Sequence, residues 1–151
     1  MKIHTSRKLL FIFLAALVAS VLAAGCASVP IAPKEKDNVA KTFAPTPGRS
    51  QIYVYRNESL GGALPMTVAV DGKVLGRTGP KTYLWWEGEP GEHTVASHTE
   101  NLSELNVKTE PGKLYFVWQE VKMGVWAARS LLQLVDEPTG KTGVMECEMA
   151  Q

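Results

Sequence analysis

The sequence predicts a mainly β fold, a compact antiparallel β-sandwich or partly open barrel of about seven to eight short strands. Two features carry that prediction. Beyond Pro47-Gly48 the chain breaks into short apolar runs rich in β-branched and aromatic residues, a texture of strands rather than helices. Between the runs stand Asp71-Gly72, Gly79-Pro80, Pro90-Gly91 and Pro111-Gly112, pairs that turn a chain sharply.

The first strand, residues 51–56, is apolar on both parities through Tyr55, as a strand covered on both faces would be. Residues 66–70 alternate large and small, which sends Met66, Val68 and Val70 to the core. Asp71-Gly72 supplies the positive φ angles of a type I′ turn, so residues 73–76 return as a hairpin partner. Further strands follow at 82–86, 93–99 and 102–109; in the last, Leu105 and Val107 share one face while Asn106 and Lys108 share the other. Residues 114–119 form the strongest strand, and Met123-Gly124 leads to a final one over 128–135. Gly140 and Gly143 argue against a long helix after Asp136. Residues 144–147 read as a short helix or a docking tail.

Ahead of this domain the composition is different. Lys2, Arg7 and Lys8 open a chain whose residues 9–24 are apolar except Ser20, ending in Ala23-Ala24-Gly25-Cys26. A basic start, an apolar stretch and small residues are the parts of an export leader. The cysteine after them resembles the lipobox of bacterial lipoproteins, which implies cleavage between Gly25 and Cys26 and a diacylglycerol on the Cys26 thiol. Ala23 stands where that motif most often has Leu. A retained membrane helix is the competing reading, but sixteen residues at ~1.5 Å each span only ~24 Å, short of a ~30 Å hydrocarbon core. Plain secretion is the other. The resemblance further implies anchoring by acyl chains. Ala27 rather than Asp after the cysteine leans toward the outer membrane, facing the periplasm.

The chain thus divides into a signal peptide (1–25), the lipidated cysteine with a Pro-rich spacer (26–47) and a β domain (48–151). Pro30, Pro33, Pro45 and Pro47 suit a segment that holds the domain off the bilayer, with a short helical turn near residues 37–42 and Phe43 docking on the domain. Of 151 residues, 126 remain after the leader, and 13 of the 16 bases then face 15 acids. That balance carries no basic stripe for nucleic acid. With Cys26 acylated, Cys147 has no partner for an intramolecular disulfide, so the fold rests on its apolar core. Its plainest role is a small buried side chain, since no redox or protease signature surrounds it.

Tyr53-Val54-Tyr55-Arg56, then Val68-Ala69-Val70-Asp71-Gly72-Lys73-Val74-Leu75-Gly76, Glu89-Pro90-Gly91-Glu92-His93-Thr94-Val95 and Pro111-Gly112-Lys113-Leu114-Tyr115-Phe116 occur in that order. Together they resemble the bacterial lipoprotein family catalogued as domain of unknown function 2846, and more loosely the surface-layer PEGA modules. The resemblance implies a compact β domain in the cell envelope and no catalytic residue. Pro90-Gly91-Glu92-His93 lacks the alanine of a PEGA motif, so no surface-layer or peptidoglycan role is carried over.

Chemistry-bearing residues are few. His93 and His98, five apart on one strand, point to opposite faces and cannot grip one metal ion together unless a bulge intervenes. Hydrolase elbows, zinc-protease helices and phosphate loops are missing from the sequence, and no cofactor is implied. Glu87, Glu89 and Glu92 cluster beside aromatics, as paired glycosidase carboxylates do, but sit where turns are expected. The tryptophans are the better lead. Trp85 and Trp86 point to opposite faces of one strand, so one joins the core while the other is exposed or covered, by the 60–64 loop or the C-terminal tail; with Trp118 they form a candidate ligand-binding set. The expectation is a non-enzymatic lipoprotein whose domain binds an envelope protein or supports envelope structure. The alternative is a carbohydrate- or peptidoglycan-binding module using an exposed Trp face.

Overall fold

In a computed structural model, residues 29–59, 64–126 and 128–151 are described, and they form three layers. The central layer is a five-stranded sheet built from β1 (Ser50–Arg56), β4 (Thr82–Gly88), β7 (Leu114–Lys122), β8 (Arg129–Val135) and β9 (Glu148–Met149), in the order β8-β7-β1-β4-β9. A four-stranded sheet of β2 (Met66–Val70), β3 (Lys73–Thr78), β5 (Glu92–His98) and β6 (Leu102–Lys108), ordered β3-β2-β5-β6, packs on one of its faces. Helices α1 (Lys34–Ala40) and α2 (Glu137–Met145) cover the other. The molecule is thus a sandwich, open at its edges, with a helical third layer. Its sheets are mostly antiparallel, but β1 pairs with β7, and β4 with β9, in parallel.

Alternation along β1 explains the layering. All seven of its residues are buried. Ile52 and Val54 enter the core between the sheets with Val68, Val70, Leu84, Val95, Val107, Val117 and Leu132. Tyr53 and Tyr55 enter a second, aromatic core under the helices with Tyr83, Phe116, Val144 and Met149. One strand thereby feeds two cores. Met66, Val68 and Val70 are buried as their alternation predicts. Asp71 and Gly72 adopt φ of 50° and 74°, the backbone a type I′ turn needs.

The helices are seated by polar contacts as well as by packing. The Tyr53 hydroxyl donates to Ala40 O at 2.9 Å, and that of Tyr83 to Asp37 Oδ1 at 2.7 Å. Asp37 also accepts from Met149 N and from Lys41 Nζ. Phe43 closes the aromatic core, 5.5 Å from Tyr53 and 5.9 Å from Phe116 between ring centres. Asp136 caps α2 by accepting from Thr139 N at 3.0 Å.

Gly140 and Gly143 reverse their expected role. Both lie inside α2, buried against the sheet. A Cβ at Gly140 would stand 2.1 Å from Phe116 Cβ, and one at Gly143 2.2 Å from Tyr55 Cε2. These glycines weaken the helix intrinsically but let its backbone lie on the aromatic rings, which no larger residue permits.

The segment expected as a spacer is folded from Val29 onward. Val29, Ala32 and Ala40 are buried, Ile31 bridges Ala150, and Pro30 O accepts from Gln151 N at 2.9 Å while Ala32 N donates to Met149 O at 2.8 Å. Its prolines suit this place. Pro30 needs no amide proton at a sheet edge, and Pro33 stands just before the first turn of α1, where helix amides lack partners in any case.

The opposite edge is closed by side chains. On β8, Ser130 N donates to Asn101 Oδ1 and Ser130 O accepts from Asn101 Nδ2, while Leu132 N donates to Ser103 Oγ. These groups take the place of a further strand and blunt the edge.

Two stability tests follow. Gly140→Ala is expected to destabilise the domain by ~1–3 kcal/mol through overpacking, despite alanine's better helix propensity, as read by denaturant unfolding. Burial raises the Asp71 carboxyl, but hydrogen bonds from His93 and Thr94 with the charges of His93 and Lys73 more than offset this and hold it below its ordinary value. Hydrogen bonds from Thr46 and Gln51 hold Glu87 down likewise. Depressed carboxyls contribute stability that is present above the unfolded value, about pH 4, and lost as pH falls through the folded one. Replacing both by Asn and Gln is expected to flatten the acid limb of the melting temperature below about pH 4.

Candidate functional site

The two ends of the sandwich differ in character. Because β1 and β7 run parallel, both finish at the same end, at Arg56 and Lys122. There residues 57–59, 64–65, 99–101 and 123–126 gather. At the other end lie the tight turns 71–72, 89–91 and 110–113.

Beneath the loop end the interior turns polar. Arg56, Thr78, Ser97, Gln119 and Ser130 are all buried. The Thr78 hydroxyl donates to Gln119 Oε1, Gln119 Nε2 donates to Ser97 Oγ at 2.6 Å, and the Ser97 and Ser130 hydroxyls share a bond of 2.7 Å. Arg56 Nη1 donates to Leu64 O at 3.0 Å, tying down the start of β2's approach. Burial lowers the Arg56 pKa from its ordinary value, with Glu58 opposing. A buried polar group left unpaired costs ~1–3 kcal/mol, so these bonds hold the loop bases in one arrangement.

Two carboxylates then brace the loops themselves. Glu58 accepts from Val121 N at 2.7 Å, and Glu100 accepts from Val125 N at 3.1 Å and Trp126 N at 2.9 Å. The backbone so pinned displays apolar side chains to water: Trp126 is 93 % exposed, Met123 82 % and Val125 77 %. An indole offers ~150–250 Å², so covering one is worth roughly 4–6 kcal/mol at ~25 cal/mol per Å². Beside this tip lies a hollow of ≈ 300 Å³ lined by Leu64, Pro65, Thr99, Glu100 and Ala128. Lys122 and Arg129 bracket the loop. The arrangement offers apolar contact with a charged rim, which suits binding.

The tryptophans singled out from sequence are elsewhere and do not share a platform. Trp86 packs against the core between the sheets, 4.6 Å from the His93 ring and directly over Gly88. His93 is part of its cover; residues 60–63 of the loop considered for that role lie outside the described residues. Trp85 and Trp118 face the helical side, Trp85 stacked on Tyr53 at 6.4 Å. The indole nitrogens of Trp85 and Trp118 are buried without a hydrogen-bond acceptor. Trp126 is the exposed ring, and sequence reading passed over it because Met123-Gly124 looked like a plain turn. The bracketed apolar run 123–128 was the available signal.

The remaining candidates are occupied structurally. His93 Nδ1 contacts Asp71 Oδ2 at 2.7 Å and Nε2 contacts Glu89 O at 2.8 Å, while His98 is exposed at the far end of β5. Among the described residues no three His, Cys, Asp or Glu side chains converge as metal ligands. Glu87 accepts from Thr46 Oγ1 and Gln51 Nε2, Glu89 pairs with Arg49, and Glu92 stands opposite Lys108 in the sheet. Cys147 is buried, its thiol against Arg56 O, and burial pushes its pKa up to about 12, so it stays protonated. Gly25 and Cys26 lie outside the described residues. No described helix is long and apolar enough to cross a membrane.

Comparison with known proteins gives a family and adds no activity. No solved structure matches the chain. An uncharacterized protein of Haemophilus influenzae (strain ATCC 51907 / DSM 11121 / KW20 / Rd) is 37 % identical over 133 residues, covering 87 % of this chain and 79 % of that one. Residues 46–130 match the family described as "Protein of unknown function (DUF2846)". On that match and that relative, the chain belongs to the DUF2846 family.

Proposed function

We propose that this is a non-enzymatic bacterial envelope lipoprotein, tethered by lipid on Cys26 to the periplasmic face of the outer membrane, whose sandwich binds an envelope protein through the loop end. The observation that carries the binding reading is the exposed Met123, Val125 and Trp126 on a loop whose backbone Glu100 pins. A pinned backbone lowers the loop-ordering entropy that opposes association. Aromatic anchors of this kind dominate many protein interfaces. The tether reading is supported by the basic, apolar and small-residue leader that ends at Cys26. The exposed Met123 and Val125 beside Trp126 favour a protein over a glycan.

Radiolabelled palmitate is expected to enter the wild-type chain in cells and not Cys26→Ala; equal labelling would end the tether reading. A photocrosslinker at Val125 is expected to capture one envelope protein reproducibly, and Trp126→Ser is expected to weaken that capture at least tenfold, about 1.4 kcal/mol. Capture unchanged by Trp126→Ser would defeat the binding assignment. Quenching of Trp126 fluorescence by cell-wall polymer, absent in Trp126→Phe, would instead support the carbohydrate-binding alternative.

A further inference from the structure

The proline-rich segment after Cys26 packs on the domain, and this changes where a lipid on Cys26 would hold it. Only Ala27 and Ser28 separate Cys26 from Val29, which is buried in the core between the sheets. Three residues reach at most ~11 Å.

The direction of exit follows from the pairing. β4 runs from the loop end, where Thr82 pairs with Arg56, to the turn end, where Gly88 pairs with Ser50. β9 runs parallel to it, with Met149 beside Tyr83. Residues 29–32 lie antiparallel to this C-terminal stretch, with Ile31 opposite Ala150 and Pro30 O bonded to Gln151 N. Traced backward toward Val29, the chain therefore heads for the turn end. Pro30 comes about level with Trp85, and Val29 about level with Trp86, at ~3.3 Å per residue.

The apolar tip lies the other way. Trp86 is level with Ile52, and Ile52 with Tyr115. From Tyr115 to Lys122, β7 climbs seven residues, ~23 Å, before the 123–128 loop begins. That is about twice the reach of the tether. At the turn end, beside the exit, the hairpin presents Lys73 and a Val74 that is 69 % exposed.

We infer that the domain sits directly on the bilayer, with its turn end, led by the Lys73-Val74 hairpin, against the lipid surface and its Met123–Trp126 loop held away from it. The inference rests on lipid attachment at Cys26. A Lys beside an exposed aliphatic residue suits a headgroup layer, where the stem lies along the surface and the ammonium reaches phosphate. The short tether keeps the apolar tip out of the anchoring membrane and leaves it open to a partner above.

The test uses the full chain, processed and reconstituted in vesicles of phosphatidylethanolamine and phosphatidylglycerol that contain a headgroup-nitroxide lipid. Cys147 is buried, so a fluorophore can be placed selectively on Lys73→Cys or on Met123→Cys. Most of the signal at position 73 is expected to be lost and little of that at 123. Equal loss at both sites, or greater loss at 123, overturns the seating. A long flexible Gly/Ser insert after Ser28 is expected to erase the difference; a difference that survives it overturns the tether as the cause. Vesicle flotation separates the two readings. A wild-type chain that fails to float removes lipid attachment and the seating with it, whereas a floating chain with equal loss at both positions removes the seating alone.

Discussion

The burial of β1 on both faces governs the architecture. A strand with Ile52 and Val54 on one side and Tyr53 and Tyr55 on the other cannot sit in a sheet with a wet face without exposing either two aliphatic side chains or two aromatic rings. The small sheet covers the first pair and the helical layer the second. Everything recruited to that helical layer comes from outside the run of eight strands. α1 and its preceding residues arrive from the N-terminal side, and α2 with β9 from the C-terminal side. The parallel pairing of β4 with β9 and the bridge from Ile31 to Ala150 are how these flanking segments join the sheet they cover.

Aromatic residues make that second core demanding. Stacked and tilted rings at Tyr53, Tyr83, Trp85, Phe116 and Phe43 form a broad, firm surface. A helix can approach it closely only where its own side chains vanish, and Gly140 and Gly143 meet that need. The hydroxyls of Tyr53 and Tyr83 reach up to the backbone and carboxylate of α1, so the same rings supply both the apolar floor and the polar fasteners. Cys147 falls within this packing, which accounts for its inert, protonated thiol.

The two ends of the sandwich are specialised by the same chain path. Tight turns with one glycine each finish one end, close to where the N-terminal segment leaves the core. The other end carries the loops after β1 and β7, above a buried network of Thr78, Ser97, Gln119 and Ser130, with Arg56 buried beside them. That network underlies the loops; Glu58 ties its own loop to Val121 N of β7, and Glu100 holds the backbone at Val125 and Trp126. Polar atoms in the interior are here the means of holding an apolar tip in water.

Much of this architecture was legible locally. Short β-branched and aromatic runs set between turn pairs named all eight main strands, the double-sided apolar character of residues 51–55 marked the covered strand, and Asp71-Gly72 specified its turn. These are properties of neighbouring residues, so sequence alone determines them. The proposal of a leader ending at Cys26 likewise rests on contiguous composition. Contacts across the fold decided the rest. Whether a glycine breaks a helix or lets one dock depends on the ring it meets, and Gly140 meets Phe116 from more than twenty residues away. Whether prolines make a spacer or an edge depends on a C-terminal strand offering Gln151 to Pro30. Which tryptophan is exposed depends on what lies over it, and Trp85, Trp86 and Trp118 found covers that Trp126 lacks. Only tertiary structure settles such questions, because burial is a property of the partner as much as of the residue.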